Sequence, residues 1–379
     1  MEGGVIMSQN KIIDLMNLFE NDPDFITKIQ GNGIILFTKF RAPLAFPLKI
    51  NLSGNVLKSI YLIFGDGYYK SKLNLTNKNY RIHSFVLGSL EEEMKIKRSV
   101  WRLRILHSDN SSEVLSKVKS YWLSALGFNE SQLYPKISPE ILKTGIQGIA
   151  RIQIDKLTYG DVISRIIEYV NVLISSGTLS KEEYCIITDS ILNAEGSVLL
   201  DSDGIHRITI SFNKSEKELF KTILIKLIPE NILVEKDDRF TISRWKNIYQ
   251  FLKAFAELDI TPFSLRPQDA FNLSFGFLNH RRTKALKNYL ETILKNPRKP
   301  FRKIAKLSNR DWKSAKMTLQ IRTKEFIQIE KVRNKHLTSI SKEGKTLLRV
   351  IRKLENWLPI LKKMIEEDQL LLKQLKEVN

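Results

Sequence analysis

Val56-Leu57-Lys58-Ser59-Ile60-Tyr61-Leu62-Ile63-Phe64-Gly65-Asp66-Gly67 and Tyr184-Cys185-Ile186-Ile187-Thr188-Asp189-Ser190-Ile191-Leu192-Asn193-Ala194-Glu195-Gly196 are the stretches whose reading decides the fold. Each is an apolar run of helical length that stops at a small residue, then one carboxylate, then glycine. Glycine just past a helix is a common C-cap and Asp-Gly a common turn, so either stretch alone says little. A carboxylate at a helix C-terminus, however, meets the negative end of the macrodipole and is disfavoured there. Its occurrence twice, in equivalent contexts, is the signal.

The segments that follow repeat in order. After Gly67 come an alternating strand over Tyr69 to Thr76, Asn77-Lys78, a helix from Arg81 to Glu93, a strand from Trp101 to Ile105 and a helix over Glu113 to Leu126. After Gly196 come strands at Ser197 to Leu200 and His206 to Phe212, Asn213-Lys214, a helix over Glu216 to Leu227, a strand from Arg239 to Ile242 and a helix from Trp245 to Phe255. Asn77 to Arg102 spans 25 residues and Asn213 to Arg239 spans 26, which pairs Arg102 with Arg239. The longer first hairpin of copy two is explained by the turn Asp201-Ser202-Asp203-Gly204.

Strand side chains alternate with period two, so each sheet has one apolar and one polar face. Leu73, Leu75, Leu103 and Ile105 in copy one, and Ile208, Ile210, Phe240 and Ile242 in copy two, are the expected core positions. Opposite them stand Lys70, Lys72, Asn74, Arg102 and Arg104, then Arg207, Thr209, Arg239 and Thr241. Cations, amides and hydroxyls without an acid suit phosphates and base edges.

Small residues at Gly65 and Ala194 would let the two apolar helices pack closely and bring Asp66 and Glu195 together. Two carboxylates ~4 Å apart repel by ~4 kcal/mol at an effective dielectric of ~20. A divalent cation removes that cost and supplies Lewis acidity for phosphodiester hydrolysis. Mg²⁺ (or Mn²⁺) suits a site of one or two carboxylates completed by phosphate and water.

From about Leu52 to Phe255 the chain resembles a two-repeat LAGLIDADG homing endonuclease. The resemblance implies an α+β fold of two pseudo-symmetric αββαββα repeats, with saddle-shaped antiparallel sheets lying in the DNA major groove. It makes Asp66 and Glu195 the metal-binding acids, and implies double-strand cleavage by one metal-assisted hydrolysis per strand. By position relative to the strands, Lys97 and Lys236 are the basic residues expected beside the scissile phosphates. Tyr61 departs from the family, which favours a small residue at that helix-packing position. The short first-copy hairpin is a second departure.

Charge points the same way. The chain of 379 residues carries a net +20, and the segment from Arg281 to Lys353 alone contributes +18, from 23 basic and 5 acidic residues. So local an excess reads as a polyanion-binding module. There Leu286, Tyr289, Leu290 and Ile293 mark a helix, Pro300 to Leu307 a second, and Ser308-Asn309-Arg310-Asp311 the capping box of a third, which presents Arg310, Lys313 and Lys316. A hairpin follows, Phe326 to Ile329 and Leu337 to Ile340, with Arg333 and Lys335 at its tip. This order resembles a winged helix-turn-helix whose third helix enters the major groove. Leu354 to Val378 reads as a final amphipathic helix, a core cover or a dimer contact.

The expected division is 1–127 for the N-terminal segment and first repeat, 128–278 for a linker and second repeat, and 279–379 for the α-rich winged-helix domain. One cysteine, Cys185, excludes a disulfide framework or a cysteine zinc cluster, and no apolar run reaches the ~20 residues of a membrane span. Without a signal peptide's apolar core at the start, the expected setting is a reducing cytosol. The ends show neither a splicing nucleophile nor a terminal His-Asn, so an intein is not expected. The expected function is a monomeric, site-specific, Mg²⁺-dependent endonuclease acting on double-stranded DNA. The alternatives are a non-cleaving DNA-binding transcriptional regulator on the same scaffold and a maturase acting on structured RNA.

Overall fold

The computed structural model describes residues 11–376 except 71, 110, 135–137, 140–145, 203, 310, 312, 314, 316–323 and 333–334; of 138–139, 332, 335–336, 374 and 376 only the backbone is described. Arg310, Lys316 and Arg333, most of the third helix of the basic section and Asp203 therefore lie outside the described residues, as does the side chain of Lys335. The chain is mixed α+β, with several small antiparallel sheets and a long C-terminal helix. It divides into two compact units. The first holds residues 1–195, 214–226 and 366–379, the second 196–213 and 227–365.

The first unit opens with β1 (Ile12–Asp14), α1 (Leu15–Phe19), β2 (Ile26–Gln30), β3 (Gly33–Thr38), β4 (Arg41–Pro47) and β5 (Lys49–Asn51). Then come α2 (Gly54–Asp66), β6 (Gly67–Tyr68), β7 (Leu73–Asn77), α3 (Tyr80–Met94), β8 (Arg102–His107), α4 (Ser112–Leu126), β9 (Ser138–Pro139), β10 (Ile149–Ile154), α5 (Leu157–Ser175) and α6 (Lys181–Glu195). β2, β3 and β4 form an antiparallel sheet of their own. Helix starts follow local chemistry. Ser53 Oγ accepts the Val56 amide at the head of α2, and Ser180 and Glu183 close a reciprocal box at the head of α6.

β11 (Gly196–Asp201) and β12 (Gly204–Ser211) open the second unit, and α7 (Lys217–Ile225) returns to the first. β13 (Val234–Lys236), β14 (Arg239–Ser243), α8 (Trp245–Glu257), α9 (Pro267–Asn279) and α10 (Arg281–Lys295) follow in the second unit. β15 (Lys299–Pro300), α11 (Phe301–Leu307), β16 (Ile327–Val332) and β17 (Lys335–Ile340) lead into α12 (Lys342–Lys376). β16 and β17 form the expected hairpin, with β15 on the outer edge of β17. α12 starts well before the expected Leu354, because Ser341 Oγ accepts the Gly344 amide at 3.0 Å and caps it there.

The two larger sheets share a strand order. One runs β6-β7-β10-β8-β9, the other β11-β12-β14-β13. Gly67 pairs with Leu75 and Leu75 with Ile152; Gly196 pairs with Ile210 and Ile210 with Phe240. β10 thus holds the place of β14, and β8 that of β13. Copy one carries α4 and its flanks between the two strands of what in copy two is a tight β13–β14 connection. The counterpart of Arg239 is therefore Arg151, not the Arg102 paired by spacing, and the counterpart of Lys236 is Arg104. β10 also lies beyond residue 127, so the first sheet draws on chain that the expected division gives to the second section.

The apolar face is as expected: Leu73, Leu75, Leu103, Ile105, Ile208, Ile210, Phe240 and Ile242 are all buried, and Ile152 of β10, which the sequence reading did not place there, joins them. Tyr69, Lys70 and Lys72 differ, since they lie between β6 and β7 rather than continuing the strand. Among the described residues no helix is long and apolar enough to cross a membrane.

Candidate active site at the paired helix ends

α2 and α6 run parallel and touch along their length. A methyl group built on Gly54 would lie 2.9 Å from Ile186 Cδ1, and Lys58 Nζ stands 2.7 Å from Asp189 Oδ2. At the far end a methyl on Gly65 would lie 2.7 Å from Ala194 Cβ and 4.0 Å from Glu195 Oε1. Real Cβ atoms do not come so close, so the approach requires glycine. Asp66 and Glu195, each half-buried, therefore end their helices side by side. Two helix C-termini of about −0.5 charge each converge there with two carboxylates.

Asp66 is held from the sheet side. Asn77 Nδ2 donates to Asp66 Oδ2 at 2.7 Å. The Asn77 amide cannot turn over, because its Oδ1 accepts the Asn79 backbone N–H at 2.7 Å. His83 Nε2 lies 3.0 Å from the Asn77 carbonyl oxygen, and the ring is fully buried. That burial pushes the imidazole pKa down to about 4, so it is neutral and donates through Nε2. In copy two the register puts Phe212 where Asn77 stands, and Glu195 is one methylene longer than Asp66.

Tyr61 is also buried, and its hydroxyl donates to Asn171 Oδ1 of α5 at 2.7 Å. A large side chain is thereby accommodated with its polar atom satisfied by a third helix. Cys185 is buried in α6, where burial pushes the thiol pKa far up, which removes it as a nucleophile.

The polar faces are cationic but unequal. In the first sheet Arg151 Nε donates to Thr76 Oγ1 at 2.9 Å, and Arg102 donates to the Ser131 carbonyl. Arg104 lies over the Tyr134 ring at 4.8 Å. Tyr134 hydroxyl in turn donates to Asp155 and accepts from Gln153 Nε2 at 2.5 Å. Tyr134 reaches in from the sheet edge and covers part of that face. In the second sheet Arg207 and Arg239 are exposed, with Thr209 and Thr241 half-buried between them.

Of the other expected site residues, Lys70 and Lys72 lie exposed in the β6–β7 turn rather than in a strand, and Asn74 is half-buried on β7. Lys97 is exposed ahead of β8, at the strand end away from Asn77. Lys236 is exposed on β13 beside Arg239, and Lys313 is exposed in the basic section. Sequence reasoning missed Asn77 as the partner of Asp66, the Lys58–Asp189 pair and Arg151. The alternation Ile149-Ala150-Arg151-Ile152-Gln153-Ile154 was the signal available for the last.

Among the described residues no three His, Cys, Asp or Glu side chains gather around one point. The donor set at the helix ends is two carboxylates and backbone carbonyls, all oxygen, which suits a hard divalent ion completed by water and phosphate. No protein-family model matches the chain, and a search of curated proteins finds no match to it.

Proposed function

We propose that the chain is a site-specific double-strand DNA endonuclease of the LAGLIDADG type, with Mg²⁺ or Mn²⁺ held by Asp66 and Glu195. The observation that carries this reading is the parallel α2–α6 pair, which sets both acids at one end of one helix contact. The shared strand order of the two sheets supports two αββαββα repeats, the first enlarged by α4. A bound divalent ion supplies Lewis acidity to the phosphate and an activated water.

The protein's own groups do the rest. Asn77 orients the Asp66 carboxylate. Arg151 and Arg104 in copy one, and Arg239 and Lys236 in copy two, stand at equivalent places on the polar faces. They are better candidates than Lys97 for neutralising phosphate charge. The basic section with its β16–β17 hairpin acts as a winged-helix appendage that adds backbone contacts. A non-cleaving DNA-binding regulator is the second reading, favoured by Tyr134, whose cover over Arg104 removes reading surface from the first sheet.

Incubation with a randomised duplex library and Mg²⁺, followed by sequencing of the ends, separates the two. Cuts that vanish in Asp66→Asn and in Glu195→Gln, with duplex binding kept, support the nuclease. Binding without cuts under any divalent ion leaves the regulator.

A further inference from the structure

The second unit contains a cleft of about 420 Å³ lined by Arg207, Arg244, His206, His280, Asp201 and Trp245, among others. It lies at the end of the second sheet's polar face, where β12 begins and β14 gives way to α8. The other arginines on the two polar faces have partners within the protein: Arg102 on Ser131, Arg104 on Tyr134, Arg151 on Thr76 and Arg239 on Asp238. Arg207 and Arg244 differ. Among the described residues neither guanidinium makes a hydrogen bond or ion pair, yet both border the same cleft.

Arg244 is moreover held at φ 71°, a conformation that costs a non-glycine residue free energy and that clusters at ligand sites. His206 Nδ1 lies 3.2 Å from Asp201 Oδ2, the one carboxylate among the described residues that line the cleft. His280 Nδ1 accepts the Arg282 amide at 3.1 Å, so its ring hydrogen is on Nε2 and the ring serves as a donor.

We infer that this cleft is a phosphate site, in which Arg207 and Arg244 close on one phosphate group with His280 as a further donor and His206 beside them on the cleft wall. Two guanidiniums and the His280 N–H, against a single carboxylate among the described residues, match a phosphate ester and no cation. The inference rests on the nuclease reading only for the source of the phosphate, a backbone phosphodiester of nucleic acid lying on the polar face. A free phosphate or small phosphate ester is the same chemistry from another source.

The test uses the full chain with nitrogen-15 histidine and inorganic phosphate, with sodium chloride at equal ionic strength as the control. The ring signals erased by His206→Gln and by His280→Gln should shift saturably with phosphate in the wild type. Arg207→Gln/Arg244→Gln, two exposed positions, should weaken that response at least tenfold, while Arg352→Gln, exposed on α12, should leave it intact. No saturable shift in the wild type overturns the inference. So does equal loss in Arg352→Gln, which would mark a bulk charge effect.

A second arm identifies the source. Duplex affinity is followed between 50 and 200 mM salt, where each lost phosphate contact flattens the log–log slope by about 0.9. A slope flattened by about that much in the double variant assigns the phosphate to nucleic acid. An unchanged slope with the phosphate response intact in the wild type assigns it to a free phosphate. Absence of duplex binding altogether sinks the nuclease reading without touching the phosphate arm.

Discussion

Gly65 and Ala194 meet so closely that a methyl group on the first would fall 2.7 Å from the methyl of the second. This contact joins α2 to α6 at the end where Asp66 and Glu195 stand. Ordinarily Gly→Ala inside a helix gains roughly 0.8–1 kcal/mol through propensity. Here the sign should reverse. Gly65→Ala should lower stability by about 1–3 kcal/mol through overpacking, read as a lower melting temperature, and should abolish cleavage. Gly88→Ala on α3, where a methyl would meet nothing within 4 Å, is the control that should not lose stability.

The anionic helix ends make a prediction about metal. Mg²⁺ bound to the folded state alone raises its stability by mass action, about 2.7 kcal/mol at a concentration 100 times Kd. Wild-type protein should therefore melt higher as Mg²⁺ is added. Asp66→Asn/Glu195→Gln should melt at one temperature throughout. A parallel response in the double variant would show that Mg²⁺ acts elsewhere on the chain.

Asn77 offers a different readout. Its amide is engaged at both ends, by Asp66 Oδ2 and by the Asn79 backbone N–H, so Asn77→Ala should cut cleavage about 10–100-fold while leaving duplex affinity unchanged. Loss of an orienting partner typically has that size. Cleavage at the wild-type rate would remove Asn77 from the site.

The placement of Asp66 and Glu195 at helix ends was legible because each closes an apolar run and is followed by glycine, a local pattern that needs no tertiary knowledge. The alternating core positions from Leu73 to Ile242 were legible for the same reason. What misled was distance along the chain. The intervals of 25 and 26 residues happen to agree, although α4 separates β8 from β10 and has no counterpart in copy two. A strand's place in a sheet is set by pairing, which the one-dimensional pattern does not encode. α5 was missed because its Val- and Ile-rich run from Leu157 opens at Lys156, without a side-chain cap to announce it. Asn77 looked like a turn residue, and only the packing of α2 over β7 turns its amide toward Asp66.

His83 makes the fold less stable in acid. Its pKa of about 4 when buried lies below the ~6.5 of an exposed imidazole, so the unfolded chain binds a proton that the folded one refuses. Its contribution is complete above pH ~6.5, declines as pH falls, and is lost by about pH 4. Over that window the cost is roughly 3 kcal/mol at ~1.4 kcal/mol per pKa unit. Urea unfolding at pH 7, 5.5 and 4.5 should show the decline, and His83→Gln should flatten it. An equal slope in the variant would assign the acid sensitivity to other groups.

Lys58 and Asp189 test whether the helix contact is held by charge or by shape. The pair is nearly sealed, with side chains 13% and 2% exposed, and Asn193 Nδ2 also donates to Asp189 Oδ1 at 3.0 Å. Burying two charges costs about as much as their attraction returns, whereas removing one partner strands the other. Lys58→Met should therefore destabilise by about 3–5 kcal/mol, and Lys58→Met/Asp189→Leu by much less. If the double variant is as stable as wild type yet cuts normally, close approach at Gly65 and Ala194 suffices to join the acids. If it is stable but inactive, the ion pair sets the helix register that brings Asp66 beside Glu195. Equal destabilisation by the single and double variants would mean that the pair contributes through packing rather than charge.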